Sequence, residues 1–119
     1  MKKVIDALYA LRPPAVLDES ELCDMVADCL MKHGILFSRE YRLGHGCRAD
    51  FLLVGGLLIE VKSLERGARA VAKQLNRYAA FDEVTGLLLV TNTALKMPDS
   101  IGGKPLTTLF LKRLWGVSL

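Results

Sequence analysis

The 119-residue chain contains few cysteines, and their arrangement does not suit a disulfide framework. Cys23, Cys29 and Cys47 form an odd set without paired spacing. Disulfide-stapled secreted domains use even, regularly spaced cysteines, so we expect reduced thiols in a cytoplasmic protein. Cys23 and Cys29 fall in a predicted helix and are expected to be small core residues.

Long uncharged hydrophobic runs are also missing. No segment reaches the roughly 20 apolar residues that a membrane-spanning helix needs. The start, MKKVIDALYALRPP, resembles a signal peptide for a few residues, but Asp6 interrupts the apolar region and Arg12 with Pro13 ends it. We therefore expect no membrane partner and interpret residues 1–17 as a short amphipathic N-terminal arm.

Several common catalytic signatures are absent. The VGG and IGGKP segments contain glycines without phosphate-loop spacing. His45 and Cys47 have no second pair at ligand spacing, which argues against a zinc site. No serine or cysteine lies in a recognisable nucleophile elbow.

The composition is that of one folded domain. Hydrophobic residues make up 51% of the chain and charged residues 24%, which is typical of a globular protein. The length suits a single domain, which we assign to residues 18–119. The formal net charge of +3 gives a mild preference for anionic partners.

Hydrophobic periodicity predicts two helices and five strands. The first helix begins after Asp18, which can cap it together with Glu21, and it ends near Gly34. Strands over 49–54 and 57–62 meet at a Gly-Gly turn. The other predicted elements are a strand over 35–43, a helix over 67–81, and strands over 86–92 and 106–111. The order α-β-β-β-α-β-β indicates an α/β fold with a mixed β-sheet flanked by helices.

The hairpin ADFLLVGGLLIEVKS, residues 49–63, carries charges inside an apolar run. Side chains alternate along a strand, so Glu60 and Lys62 share one face. A two-residue turn would place Asp50 opposite Val61, whereas a three-residue turn would place it opposite Glu60. A functional site requires the second register, or a bulge near Asp50. The alternative is a solvated face with a weak surface ion pair.

Two carboxylates and an ammonium group on one surface suit phosphate chemistry. Mg²⁺ takes oxygen ligands and keeps several waters, so two carboxylates can hold it beside a phosphate. A metal there lowers the pKa of its bound water, and a neighbouring lysine can position that water.

This arrangement resembles the PD-(D/E)xK nuclease superfamily, in which an acid on one core strand precedes an (Asp/Glu)-x-Lys on the next. Here Asp50 precedes the run EVK, and Ala49 stands where the superfamily often has proline. The segment QLNRY is similar to the Gln-x-x-x-Tyr signature of several branches. ESELCDMVADCLMKHGI resembles the first helix of the virus-type replication-repair nucleases. The matches span residues 19 to about 92 and imply a restriction-endonuclease-like core.

The resemblance implies a role for each matched residue. Asp50 and Glu60 would bind the metal, and Lys62 would position or deprotonate the attacking water. The supporting residues would be Val61 through its backbone carbonyl, Gln74 from the second helix, and Glu19, which would reach a metal directly or through water.

Some of these roles have structural alternatives. Glu19 lies on the same helical stripe as Leu22 and Val26, hence toward the sheet, but a favourable charge at the helix N-terminus explains it equally well. Ordinary helix packing competes with a site role for Gln74 and Tyr78.

Seven basic residues are candidates for contacting nucleic acid. Arg39, Arg42 and Arg48 lie on or beside the strands that would carry the site. The other four form a stripe on the second helix opposite its buried face: Arg66, Arg69, Lys73 and Arg77. A solvated helix face explains that stripe at least as well as contact with a phosphate backbone.

The sequence therefore predicts a DNA endonuclease or exonuclease that depends on Mg²⁺ or Mn²⁺. A chain this short leaves little room for a recognition domain, so we expect a homodimer or recruitment by a larger phage or DNA-repair assembly. Small superfamily members that resolve branched DNA are dimers, which leaves junction cleavage open. Two alternatives also stay open: a nucleic-acid-binding module with a decayed site, and an interaction protein that only uses the fold.

Overall fold

The computed structural model describes residues 1–13, 18–62 and 67–111. Within these ranges, three helices and six strands form an α/β fold. The helices are α1 (Lys2–Tyr9), α2 (Glu19–Lys32) and α3 (Ala68–Ala79). The strands are β1 (Phe37–Gly44), β2 (Cys47–Leu53), β3 (Leu57–Lys62), β4 (Gly86–Thr91), β5 (Ser100–Ile101) and β6 (Lys104–Phe110).

The six strands form a mixed sheet in the order β1-β2-β3-β4-β6-β5. β1, β2 and β3 are antiparallel, whereas β4 and β6 run parallel to β3. A parallel neighbour needs a crossover connection, and α3 lies in the one between β3 and β4. The predicted α/β class with a mixed sheet is confirmed. The parallel strands β3, β4 and β6 end level with one another, since Lys62 is paired with Thr91, and Thr91 with Phe110.

The core has one apolar cluster on each face of the sheet. One cluster joins α1 and α2 to the sheet through residues such as Leu22, Phe51 and Ile59. The other joins α3 to the opposite face through residues such as Leu58 and Leu75. Helices therefore cover both faces, and β3 contributes side chains to each cluster in alternation.

The start of α2 follows the prediction closely. The Asp18 side chain accepts from the Glu21 N–H at 2.8 Å, and the Glu21 carboxylate accepts from the Asp18 N–H at 3.2 Å. This capping box satisfies two amide groups that a helix N-terminus otherwise leaves unpaired.

Two segments are more ordered than the sequence indicates. The region interpreted as an N-terminal arm contains α1, whose Val4 and Leu8 are buried in the core. The IGGKP segment, predicted as a loop, is a hairpin that joins β5 to β6 through Gly102 and Gly103. Both glycines have positive φ, as tight hairpin turns require.

All three cysteines are free. Within the described ranges, none of the helices combines the length and apolar character needed to cross a membrane.

Candidate active site

The turn between β2 and β3 sets the register on which the candidate site depends. Phe51 pairs with Ile59 and Leu52 with Leu58, so the loop has three residues. The Gly56 N–H donates to the Leu53 carbonyl at 3.0 Å and closes the turn. Of the two registers that the sequence allows, the structure has the one that brings Asp50 opposite Glu60.

Glu60 and Lys62 are buried rather than solvated. Their exposures are 2% and 6%, and Lys62 Nζ lies 3.3 Å from Glu60 Oε2. The alternative of a weak surface ion pair is therefore wrong. A buried ion pair needs good geometry and further hydrogen bonds to offset its desolvation, and such pairs often mark functional sites.

Asp50 and Glu60 are held by reciprocal hydrogen bonds to the backbone. Glu60 Oε1 accepts from the Asp50 N–H at 3.0 Å. Asp50 Oδ2 accepts from the Val61 N–H at 2.8 Å. These side-chain bonds replace the main-chain ladder beyond the Phe51–Ile59 pair, so the two strands separate with both carboxylates fixed between them.

The two carboxylates have more negative charge than Lys62 alone can balance. Burial, followed by the charge of Asp50, raises the pKa of Glu60 to about 7. Burial also raises the pKa of Asp50, although the Val61 N–H and Lys62 oppose that shift. Two close, desolvated carboxylates hold either a shared proton or a cation.

This donor set fits a hard divalent cation. Mg²⁺ is commonly held by one or two carboxylates while waters and a substrate phosphate complete its shell. Within residues 1–13, 18–62 and 67–111, no three His, Cys, Asp or Glu side chains come together as a metal-binding group. Asp50 and Glu60 are the two carboxylates that the hairpin register places opposite each other in this part of the structure.

Glu19 lies beside this pair without completing a three-carboxylate group. It is half-buried at the start of α2 and, together with Asp50, lines a pocket of ≈ 290 Å³. Its charge contributes to the raised pKa of Asp50. This position agrees with the prediction that Glu19 points toward the sheet. Metal binding by Glu19, directly or through water, stays a prediction, and so does metal binding by the Val61 carbonyl.

A kink in β1 beside Asp50 was not predicted. Phe37 packs in the cluster under α1 and α2, whereas Tyr41 packs in the cluster under α3. Two residues four apart on a regular strand would face the same side, so the strand rotates between them. Glu40 has φ +52°, a conformation uncommon outside glycine, and its register position is opposite Asp50. The sequence gives no signal for this kink, because a single glutamate within a strand does not indicate a positive φ.

Gln74 and Tyr78 fasten α3 to β2 just before Asp50. Gln74 Nε2 donates to the Tyr78 hydroxyl at 2.7 Å, and that hydroxyl donates to the Arg48 carbonyl at 3.1 Å. Tyr78 is 4% exposed. The Gln74 side chain is therefore bonded to Tyr78, both residues act on the position of β2, and a direct role of Gln74 at the carboxylates stays a prediction.

We expect Tyr78→Phe to destabilise the fold by about 1–3 kcal/mol, because it removes the part-buried hydroxyl that donates to the Arg48 carbonyl and accepts from Gln74. Urea unfolding at 25 °C measures this change. Tyr41→Phe is the matched control, since that hydroxyl bonds Glu83 at an exposed position and its loss should cost less than about 0.5 kcal/mol. Equal losses in the two variants would contradict a role for Tyr78 in fastening α3.

The predicted nucleic-acid residues occupy three different settings. Arg39 is bound to Asp24 at 2.6 Å, and Arg48 lies 3.8 Å from Glu40. Arg42 and Arg77 line a second pocket, of ≈ 490 Å³, on the α3 side. The exposed side chains of Arg69 and Lys73 line neither pocket. Arg66 lies outside the described residues.

Comparisons with known proteins add no further assignment. The chain matches no protein-family model, no curated protein and no solved structure. Inferences about function therefore depend on the geometry of Asp50, Glu60 and Lys62 and on the resemblance of the sequence motif.

Proposed function

We propose that the protein is a metal-dependent nuclease of the PD-(D/E)xK type that hydrolyses phosphodiester bonds in DNA. The main supporting observation is that half-buried Asp50 and the buried pair of Glu60 and Lys62 come together at the point where β2 and β3 separate. Two carboxylates beside one lysine carry a net negative charge, and its removal from water is costly unless the carboxylates bind a proton or a cation. The order of α2, β1–β3, α3 and β4 is also the order that this superfamily implies.

Asp50 and Glu60 would hold Mg²⁺ or Mn²⁺, and the carbonyl of Val61 and the carboxylate of Glu19, which lines a pocket with Asp50, would be the further oxygen donors. When bound, such an ion lowers the pKa of its water and stabilises charge on the phosphoryl group. In the hydrolysis, a water oxygen bonds to phosphorus while one ester P–O bond breaks.

Lys62 would position the attacking water and offset charge on the phosphate. Its ammonium group has three donors, and the contact with Glu60 engages one side of it. The remaining donors can face a water or a phosphate oxygen. Because Lys62 is 6% exposed, its position is fixed by packing before substrate arrives.

DNA is the proposed substrate because the chain is basic and small. With a net charge of +3 and one domain, it would bind the backbone more readily than a base sequence. A homodimer, or a phage or repair assembly, would supply the recognition surface that one copy lacks.

Cleavage assays on linear, single-stranded, supercoiled and branched DNA test the proposal, with RNA as a further substrate. We expect cutting with Mg²⁺ or Mn²⁺ and none with EDTA, and Lys62→Ala should lower the rate by about 10²–10³-fold. The control is Lys104→Ala, whose ammonium donates to the Phe81 carbonyl. Metal-independent cutting, or full activity of Lys62→Ala, would overturn the mechanism. Salt-sensitive binding without cutting would favour a decayed module.

A further inference from the structure

A groove on the α3 side of the sheet lies next to the candidate active site and has no role in the proposed chemistry. It has a volume of ≈ 490 Å³ and lies between the tip of the β1–β2 hairpin and α3. Its principal side chains are Arg42, His45, Arg48, Gln74, Arg77 and Tyr78. We call it the arginine groove.

The arginine groove is positively charged where the neighbouring pocket is negative. Three arginines and no carboxylates line it among the described residues. The neighbouring pocket, which we call the carboxylate pocket, is lined by Glu19, Glu40 and Asp50 together with Arg39 and Arg48. Arg48 lines both, so the two pockets are adjacent along β2. The lining therefore changes from an excess of carboxylates to arginines alone across one side chain.

The side chains of the groove suit phosphate groups rather than bases. Guanidinium groups bind phosphate oxygens through paired N–H donors, and Arg42, Arg48 and Arg77 all have exposed side chains. Proteins that read single strands stack the bases on exposed aromatic rings. Among the described residues that line this groove, Tyr78 is the one Phe, Tyr or Trp, and it is buried with its hydroxyl bonded to Gln74 and Arg48.

We propose that the arginine groove binds the backbone phosphates that adjoin the scissile phosphate, without regard to base sequence. The inference depends on the proposed function, because the scissile phosphate would lie in the carboxylate pocket. The backbone runs past Arg48, which contacts the phosphate between the two pockets. Arg42 and Arg77 then bind the phosphates further along the strand.

Fluorescence anisotropy of a labelled DNA duplex, measured in EDTA so that no cleavage occurs, tests this proposal. The affinity of the double variant Arg42→Ala/Arg77→Ala is compared with that of the unmodified protein at salt concentrations from 50 to 300 mM. Each lost phosphate contact weakens duplex binding about tenfold at 50 mM salt and lowers the log–log salt slope by about 1. We expect about 100-fold weaker binding and a slope smaller by about 2.

The matched control is Lys2→Ala/Lys3→Ala, which removes the same charge from exposed positions on α1, on the face of the sheet opposite the groove. We expect this control to bind within about threefold of the unmodified protein. Equal losses in both double variants would overturn the proposal, because net charge alone would then explain binding. Melting temperatures confirm that both variants fold.

Further arms separate the ligand sources and the two proposals. Single strands of dA and dT should bind equally, and a tenfold preference for either would overturn base-independent binding. Displacement of the duplex by inorganic phosphate at constant ionic strength would instead indicate a free-phosphate pocket. If Arg42→Ala/Arg77→Ala alone weakens DNA binding but the unmodified protein cuts no DNA with metal, the nuclease proposal is overturned and the groove proposal stands. If the unmodified protein cuts DNA but the two double variants bind DNA equally well, the groove proposal is overturned and the nuclease proposal stands.

Discussion

Asp50→Asn is expected to remove nearly all DNA cleavage and, unusually for a substitution at a half-buried position, to stabilise the metal-free fold above pH 7. Asparagine has the same shape and its Oδ1 can still accept from the Val61 N–H. The variant therefore removes one negative charge and little else. Asp50 would be a ligand of the metal, so its loss removes the several kcal/mol by which the metal stabilises the transition state. This corresponds to a rate lower by about 10³-fold.

The stability gain follows from the charge imbalance in the site. The folded-state pKa of Glu60 is about 7, raised from 4.5 first by burial and then by Asp50. A carboxyl group with a raised pKa stabilises the fold below its unfolded value and loses that contribution as pH rises through the folded value. The free energy of unfolding falls by about 3 kcal/mol as Glu60 loses this contribution. In the variant, the share of that fall that is due to the charge of Asp50 disappears.

Thermal unfolding in EDTA from pH 4 to pH 8 measures this effect. The variant should melt near the unmodified protein at pH 4 and above it at pH 8. Added Mg²⁺ at pH 8 should raise the melting temperature of the unmodified protein and leave Asp50→Asn unchanged, because a ligand stabilises only the state that binds it. A variant that loses activity but melts lower at every pH would show that Asp50 is a structural residue only.

Most of the secondary structure could be predicted because its signals are local. The capping box at Asp18 and Glu21, the helical stripe of α2 and the apolar run of β4 each depend on neighbouring residues in the chain. The alternation of Glu60 and Lys62 on one face likewise follows from strand geometry alone. For such elements local propensity and the final fold agree.

The features that were not predicted depend on distant contacts. The choice between a two-residue and a three-residue turn depends on Gly56, whose carbonyl accepts from the Thr85 N–H at 2.8 Å. The rotation of β1 at Glu40 satisfies packing on opposite faces of the sheet. Gln74 lies on the predicted helix, but its partner is the Tyr78 hydroxyl. A motif identifies candidate residues, whereas tertiary packing determines which atoms they contact.

Gly56→Ala is expected to destabilise the protein by about 3 kcal/mol or more and to disrupt the site through the register of the hairpin. Gly56 is buried with φ +97°, and an added Cβ would lie 2.6 Å from the Glu83 carbonyl oxygen. That atom belongs to the backbone, so a side-chain rotation cannot relieve the clash. Urea unfolding measures the loss, and cleavage assays on the folded fraction measure the effect on the site.

Gly55→Ala separates this clash from backbone strain. Gly55 has φ +102°, but an added Cβ there meets no atom within 4 Å, so only the strain of about 1 kcal/mol applies. If Gly56→Ala folds by shifting to the two-residue turn, Asp50 moves opposite Val61 and away from Glu60, and cleavage is lost although the fold survives. Equal destabilisation of both variants, with cleavage retained, would contradict the conclusion that Gly56 sets the register on which the site depends.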